Sequence, residues 1–311
     1  MTAGTQWTSA DSGDSIDDRT ILVGLIGQGI QQSRAPAMHE AAGRGHDLRL
    51  VYRLLDTDLM GKHPPSIADL LQYAEHFGFA GLNITYPYKQ TVMAELDAFS
   101  DAAETVGAVN TVTFAKGRRI GHNTDYWGFR ESFRRDMEGV PRHQVVLLGA
   151  GGAGVAVAPA LLECGVENLI ICDREAQRAQ DLAARLTTRF GTTRVSADDQ
   201  VAAVAASADG VVNATPVGMA KLPGTPLAAG LLRPTMWVAD IVYFPLETEL
   251  LRRAREMGCR TLSGAGMAVY QAVRAFELFT GVEPDSGLME AAFRAFDETA
   301  NTKRAAPLTN P

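Results

Sequence analysis

Apolar positions in this chain gather into short, nearly unbroken runs, and the stretches between them mix apolar and polar residues at helical spacing. That is the pattern of buried parallel strands alternating with helices. The run ILVGLIG from Ile21 predicts a first strand, closed by Gly27 and Gly29. Pro36 follows at a first-turn position of a predicted helix over AMHEAAGR, where its missing N–H costs nothing. LRLVYRLLD gives a second strand, SIADLLQYAEHFG a helix, and GLNIT a third strand. A helical stretch is expected around Lys89–Ala102, and AVNTVTFA with RRIGHNTD reads as a hairpin turning at Lys116 and Gly117.

The pattern restarts near Tyr126. A helix to about Met137 precedes HQVVLLGAGGAGVAVAPALLECG, which reads as strand, glycine turn and helix. ENLIICD, DGVVNAT and MWVADIV are further buried strands, and REAQRAQDLAARLTTRF is an amphipathic helix. The alternation implies a doubly wound parallel sheet with right-handed crossovers. From Gly264 the chain is helical, first GMAVYQAVRAFELFTG and then EPDSGLMEAAFRAFDE, which suits a return to the first unit. The expected fold is α/β with two domains: residues 20–124 with 264–300, carrying a mixed sheet, and residues 125–263. The polar stretches 1–19 and 301–311 are expected to be disordered tails.

Composition narrows the class. A length of 311 residues suits two domains, and 46% hydrophobic residues exclude a disordered chain. No apolar run approaches the ~18 residues of a membrane helix. A net charge of −7 argues against a nucleic-acid surface. Cys164, Cys172 and Cys259 are odd in number and lack metal-ligand spacing, so they read as buried thiols in a reducing compartment, with no metal site. The first residues lack the basic start and apolar stretch of a secretory signal. A cytoplasmic protein is expected, either monomer or homodimer, whose partner is a small molecule.

Gly149-Ala150-Gly151-Gly152-Ala153-Gly154 lies between an apolar strand and an apolar helix. Glycines there permit a tight turn and let N–H groups at the helix start approach a pyrophosphate. Such a string alone is weak evidence, but Asp173 follows at the end of the next strand, 22 residues after Gly151. A carboxylate there accepts hydrogen bonds from ribose hydroxyls and repels a 2′-phosphate, pointing to NAD rather than NADP. Arg174 and Arg178 are either phosphate or adenine contacts, or solvated residues at a helix start. Lys89, in NITYPYK after a predicted strand, suits acid–base work in a rigid turn; Asp125 ends GHNTD at the domain junction. For either residue in isolation, a surface charge is the plainer reading. His39 and His122 read as structural, Arg252, Arg253 and Arg255 as a solvated helix face, and the methionines as core filler.

Taken in order, SRAP (Ser33–Pro36), NITYPYK, GAVNT, GHNTD, GAGGAG, NATPVGM, DIVYFP and GMAVYQA resemble the shikimate dehydrogenase family over about Leu22–Glu298, and most resemble its NAD-using quinate/shikimate members. The resemblance implies a substrate-binding catalytic domain at the N-terminus and a Rossmann-like dinucleotide-binding domain after it. It implies reversible hydride transfer between NAD and a ring hydroxyl carbon of quinate or shikimate. Lys89 and Asp125 would form the catalytic pair, Ser33 would hold the substrate carboxylate, and Thr85, Asn110 and Gln271 would read ring hydroxyls. Gly149, Ala150, Gly151, Gly152 and Ala153 would cradle the pyrophosphate, with Asp173 and Arg178 at the adenosine half. Thr215, Pro216, Met219, Val242 and Gly266 would line the cofactor cleft, and Tyr243 would lie between nicotinamide and substrate. One position departs from the family pattern: Ala35 stands where family members carry a second hydroxyl, leaving the preferred ring acid open. An NADP-dependent biosynthetic shikimate dehydrogenase, a relative acting on an amino-substituted ring acid, and a dinucleotide-binding sensor without turnover remain alternatives.

Overall fold

The computed structural model describes residues 20–305, and it is built on two six-stranded sheets. The first holds β1 (Ile21–Gly27), β2 (Leu50–Asp56), β3 (Phe79–Ile84), β4 (Ala98–Phe99), β5 (Thr111–Ala115) and β6 (Arg118–His122), in the order β2-β1-β3-β5-β6-β4. β1 pairs parallel with β2 and β3, whereas β3, β5 and β6 run antiparallel, giving the mixed sheet expected. Lys116 (φ 52°) and Gly117 (φ 72°) are both left-handed, the backbone that a two-residue hairpin requires.

Helix α1 (Ala35–Gly45) starts with proline in its first turn, and α2 (Ile67–His76) with a Ser66/Asp69 capping box. The helix expected over Lys89–Ala102 does not form as one piece. It becomes a short 3₁₀ turn (Thr91–Glu95), then β4, then α3 (Asp101–Val106). Asp97 N and Ser100 N donate to the Arg119 and Gly121 carbonyls, drawing the segment to the sheet edge, and the Ser100 hydroxyl caps α3 by accepting from Ala103 N at 3.3 Å.

The second sheet is wholly parallel. It contains β7 (Gln144–Leu148), β8 (Asn168–Cys172), β9 (Val195–Ala197), β10 (Gly210–Asn213), β11 (Trp237–Asp240) and β12 (Arg260–Ser263), in the order β12-β11-β10-β7-β8-β9. Helices α4 (Thr124–Asp136), α5 (Gly154–Glu163), α6 (Ala176–Phe190), α7 (Val201–Ser207) and α8 (Glu249–Glu256) complete it. Strand order reverses between β7 and β10, so the carboxyl ends of these neighbours flank a crevice where ligands of such sheets bind.

The last two helices return to the first sheet. On α9 (Gly264–Thr280), Ala268, Ala272, Phe276 and Phe279 share one core with Val23, Leu25, Met38 and Tyr52, joined by Met289 and Phe293 of α10 (Ser286–Ala305). α9 also packs closely on α4: a Cβ at Gly128 would stand 2.6 Å from Gln271 N, and one at Gly266 would meet the Ser132 hydroxyl. α10 runs to Ala305, into the stretch expected as a disordered tail. The expectations for residues 1–19 and 306–311 fall outside the described residues. Among those described, no helix is long and apolar enough to cross a membrane.

Candidate active site

Lys89 leaves the turn after β3. Thr85 N donates to Ile26 O (2.9 Å), Tyr88 N closes the turn on Thr85 O (2.9 Å), and Val109 N pins the Lys89 carbonyl (2.8 Å). Asp125 lies in the first turn of α4, where the helix dipole favours a carboxylate. The N-cap Asn123 accepts from Tyr126 N at 3.0 Å and donates to Ala108 O at 2.9 Å. The GAVNT segment thus gathers two motifs that lie 36 residues apart, and Lys89 Nζ meets Asp125 Oδ2 at 2.6 Å. Both side chains are largely sheltered, at 26% and 15% exposure.

Two cavities meet at this pair, sharing Thr85, Lys89 and Ala153 in their walls. The smaller, about 230 Å³, is also lined by Ser33, Ala35, Tyr52, Asn83, Asn110, Asp125, Tyr243 and Gln271. Its polar groups are held by hydrogen bonds to one another, to threonines behind them and to the backbone. Tyr52 donates to Asn83 Oδ1 (2.8 Å), Asn83 to Thr111 Oγ1 (2.9 Å), and Asn110 to Thr124 Oγ1 (3.0 Å). Gln271 donates to Ala268 O at 3.0 Å. The Ser33 hydroxyl accepts from Ala35 N (3.3 Å), and the loop before it is ordered by Asp56, which accepts from Gly29 N and Ile30 N at 3.0 Å each. Tyr243 is 45% exposed overall, yet its hydroxyl faces the pair. Burial first, then the Asp125 charge, push that phenol above its ordinary range.

The larger cavity, about 720 Å³, runs over the glycine turn between β7 and α5 to the face of α6. Gly149 has φ +101°, and a Cβ there would stand 2.9 Å from the Ala214 backbone, so only glycine lets the ends of β7 and β10 approach this closely. Gly151 and Gly152 have nothing within 4 Å of where a Cβ would lie; both line the cavity, forming an open cradle of backbone. Asp173, at the end of β8, is tied to the turn, accepting from Ala150 N at 2.7 Å and from Glu175 N at 2.9 Å. Arg178 of α6 lines the cavity, pairs with Glu175 at 3.0 Å and is 56% exposed.

The sequence matches three family models in succession: the shikimate dehydrogenase substrate binding domain over residues 25–112, shikimate/quinate 5-dehydrogenase over 131–221, and the shikimate 5′-dehydrogenase C-terminal domain over 264–292. It is 51% identical over 281 residues to the shikimate dehydrogenase (NADP(+)) of Streptomyces avermitilis, covering 90% of this chain and 97% of that one. The chain belongs to the shikimate dehydrogenase family. It is also 48% identical over 277 residues to the quinate/shikimate dehydrogenase (NAD(+)) of Corynebacterium efficiens, covering 88% of this chain and 98% of that one. Among solved structures, quinate dehydrogenase from Corynebacterium glutamicum in complex with NAD superposes with a TM-score of 0.86 at 47% identity, over 89% of this chain and 99% of that one. The two-domain α/β architecture of the shikimate dehydrogenases is the architecture seen here.

Of the residues singled out by sequence, Ser33, Thr85, Lys89, Asn110, Asp125, Tyr243 and Gln271 are brought together around the smaller cavity. Ala150, Gly151, Gly152, Ala153 and Arg178 line the larger one. Thr215 stands 3.0 Å from the Cβ position of Gly149, on the β10 side of the crevice, and Met219 of the same loop is 41% exposed. Gly266 departs from its expected place, pressing its side-chain face on Ser132 of α4, while Gly264 lines the smaller cavity instead. Of the polar side chains lining the smaller cavity, two went unread, Tyr52 and Asn83. Asn83 was open to recognition, two residues before Thr85 on one strand face. His39 and His122 are held neutral well below the ordinary histidine range, at about 3 and about 4, by burial, with Arg274 adding to it at His122. Arg252, Arg253 and Arg255 pair with Glu249, Glu256 and Glu247 around α8.

Proposed function

We propose that this chain is an NAD-dependent quinate/shikimate dehydrogenase, interconverting quinate with 3-dehydroquinate or shikimate with 3-dehydroshikimate. The observation that carries the reading is the Lys89–Asp125 pair, 2.6 Å apart where the two cavities meet. The ring acid occupies the smaller cavity, and the cofactor lies along the larger, on the unit formed by residues 125–263. The open backbone cradle at Gly151 and Gly152 fits a pyrophosphate, and the Asp173 carboxylate, bonded to Ala150 N beside it, fits a ribose without a 2′-phosphate. When bound, NAD supplies the acceptor for hydride.

The protein supplies orientation and the proton. Ser33 holds the carboxylate of the ring acid, while Thr85, Asn110 and Gln271 engage its hydroxyls. Thr124 holds two of these groups before substrate arrives, its N–H donating to Asn110 Oδ1 and its hydroxyl to Gln271 Oε1, so less ordering remains to be done at binding. In the oxidation direction neutral Lys89 takes the proton of the reacting hydroxyl, and Asp125 stabilises the resulting ammonium and holds Nζ in place. In reduction the same ammonium returns the proton. Oxidation releases a proton overall, so raising the pH favours it. Three buried cysteines, none of them in a disulfide, support a cytoplasmic setting.

The test is an absorbance assay of quinate and shikimate, each with NAD and with NADP. Turnover with NAD at least about tenfold above NADP in kcat/KM is expected, equivalent to about 1.4 kcal/mol. Better activity with NADP would refute the cofactor assignment. No turnover with any of the four combinations would refute the enzyme.

A further inference from the structure

Behind the β10–β11 side of the crevice lie three buried polar side chains that the reaction does not use. Asn213, Asp240 and Thr248 are 0%, 1% and 0% exposed. They tie together three separate segments. Asp240 Oδ1 accepts from Asn213 Nδ2 at 2.9 Å and from Val242 N at 3.0 Å, and its Oδ2 accepts from the Thr248 hydroxyl at 2.6 Å. Asn213 in turn accepts from Thr215 N (2.9 Å) and the Thr215 hydroxyl (2.7 Å), and donates to Val217 O (2.9 Å). Gly218, at φ +107°, folds over the knot, its Cβ position 3.5 Å from the Thr248 methyl group and 3.7 Å from Asp240 Oδ2. The two loops also touch directly, Ala220 N donating to Phe244 O at 3.4 Å.

We propose that Asp240 is a positioning residue for the nicotinamide end of the cofactor, locking the Thr215–Met219 loop and the Val242–Pro245 loop into one rigid wall of the crevice. The inference rests on the dehydrogenase reading above. A carboxylate suits the post because it accepts at both oxygens and donates from neither, and here it receives three donors. Burial pushes its pKa up to about 6, and the three donors oppose that rise. An amide of the same shape would turn an N–H group toward Thr248 Oγ1 and leave the buried threonine proton without its acceptor. A scaffold needing only stability has no use for a costly buried charge at this spot, since apolar packing serves as well. What the charge adds is a fixed spacing between two loops. Small errors at such a wall are magnified in catalysis, where misplacement by about 1 Å can cost about 10²-fold.

Asp240→Asn and Thr248→Val test this, with Thr248→Ser as the variant that keeps the hydroxyl. Two quantities are read on the full chain: kcat/KM for NAD with the ring acid that the unmodified protein oxidises, and the affinity for ADP-ribose, which lacks nicotinamide. Asp240→Asn and Thr248→Val should lower kcat/KM by at least about tenfold while ADP-ribose affinity stays within about twofold, and Thr248→Ser should match the unmodified protein. Kinetics within about twofold in both disruptive variants would overturn the proposal. So would a parallel loss of ADP-ribose affinity, which would mark general damage to the sheet. An unmodified protein without turnover would instead refute the dehydrogenase reading, and this inference with it.

Discussion

His39 should give the chain a measurable sensitivity to mild acid. It is fully buried on α1, its ring 4.8 Å from that of Tyr52 and about 6 Å from those of Phe276 and Phe279, with no partner at either ring nitrogen. Burial holds its pKa down at about 3, against 6.5 for a free side chain. Between those values the unfolded chain binds a proton that the folded chain refuses, so stability falls as pH drops through 6.5 and levels only near 3. The limiting slope is about 1.4 kcal/mol per pH unit, and from about pH 7 to about pH 5 the loss at this site amounts to roughly 2 kcal/mol. His39→Phe keeps a ring in the same place and cannot titrate. Urea unfolding of both proteins at the two pH values isolates the effect, because His122 and Asp240 titrate in both and cancel in the difference. The unmodified protein should lose roughly 2 kcal/mol more than the variant. Equal losses in the two would show that His39 does not carry the acid sensitivity.

The remaining predictions concern chemistry. Lys89→Ala should cut turnover by roughly 10²–10⁴-fold with NAD binding retained, as read by rates and calorimetry; near-normal turnover would end its assignment. Asp125→Asn should also be slow, and the double variant should lose less than the two effects combined if the pair acts as a unit. Because Ala35 lines the smaller cavity beside Ser33, Ala35→Ser or Ala35→Thr should shift the quinate-to-shikimate ratio of kcat/KM by up to about tenfold, the worth of one neutral hydrogen bond. An identical response with both acids would remove this residue from ring selection. Asp173→Asn should narrow or reverse the preference for NAD, since Arg174 and Arg178 then face a 2′-phosphate without an opposing charge; added salt should weaken the gain with NADP.

Strands buried on both faces were legible because their apolar runs need no partner to be recognised. β1, β7, β10 and β11 fall where ILVGLIG, QVVLL, GVVN and WVAD lie. β4, β9 and β12, with two, three and four residues, carry no period of their own and exist through backbone pairing with a neighbour. The Lys89–Ala102 stretch was misread for the same reason, since its helical spacing lost to non-local hydrogen bonds with β6. At the site, Lys89 and Asp125 stand in compact motifs at element ends, where chemistry is readily read. Tyr52 carries no signal of its own within the strand LRLVYRLLD; only the β2–β1–β3 register brings its hydroxyl to Asn83. The Asn213–Asp240–Thr248 knot was signalled only by polar residues closing apolar runs. Their meeting depends on β10 and β11 pairing in register, Asn213 opposite Asp240.

The return of α9 and α10 to the first sheet bears on how the chain matures during synthesis. Val23, Leu25 and Tyr52 emerge before any strand of the second sheet, but residues that cover them, Phe276, Phe279, Met289 and Phe293, emerge after all of its strands. Between those moments the parallel sheet of β7–β12 is completed, with every strand and crossover helix supplied by contiguous chain. The nascent polypeptide therefore closes its middle before its beginning, the reverse of the usual order. Throughout that interval the apolar surface of β1 and β2 that α9 and α10 will bury stays open to water.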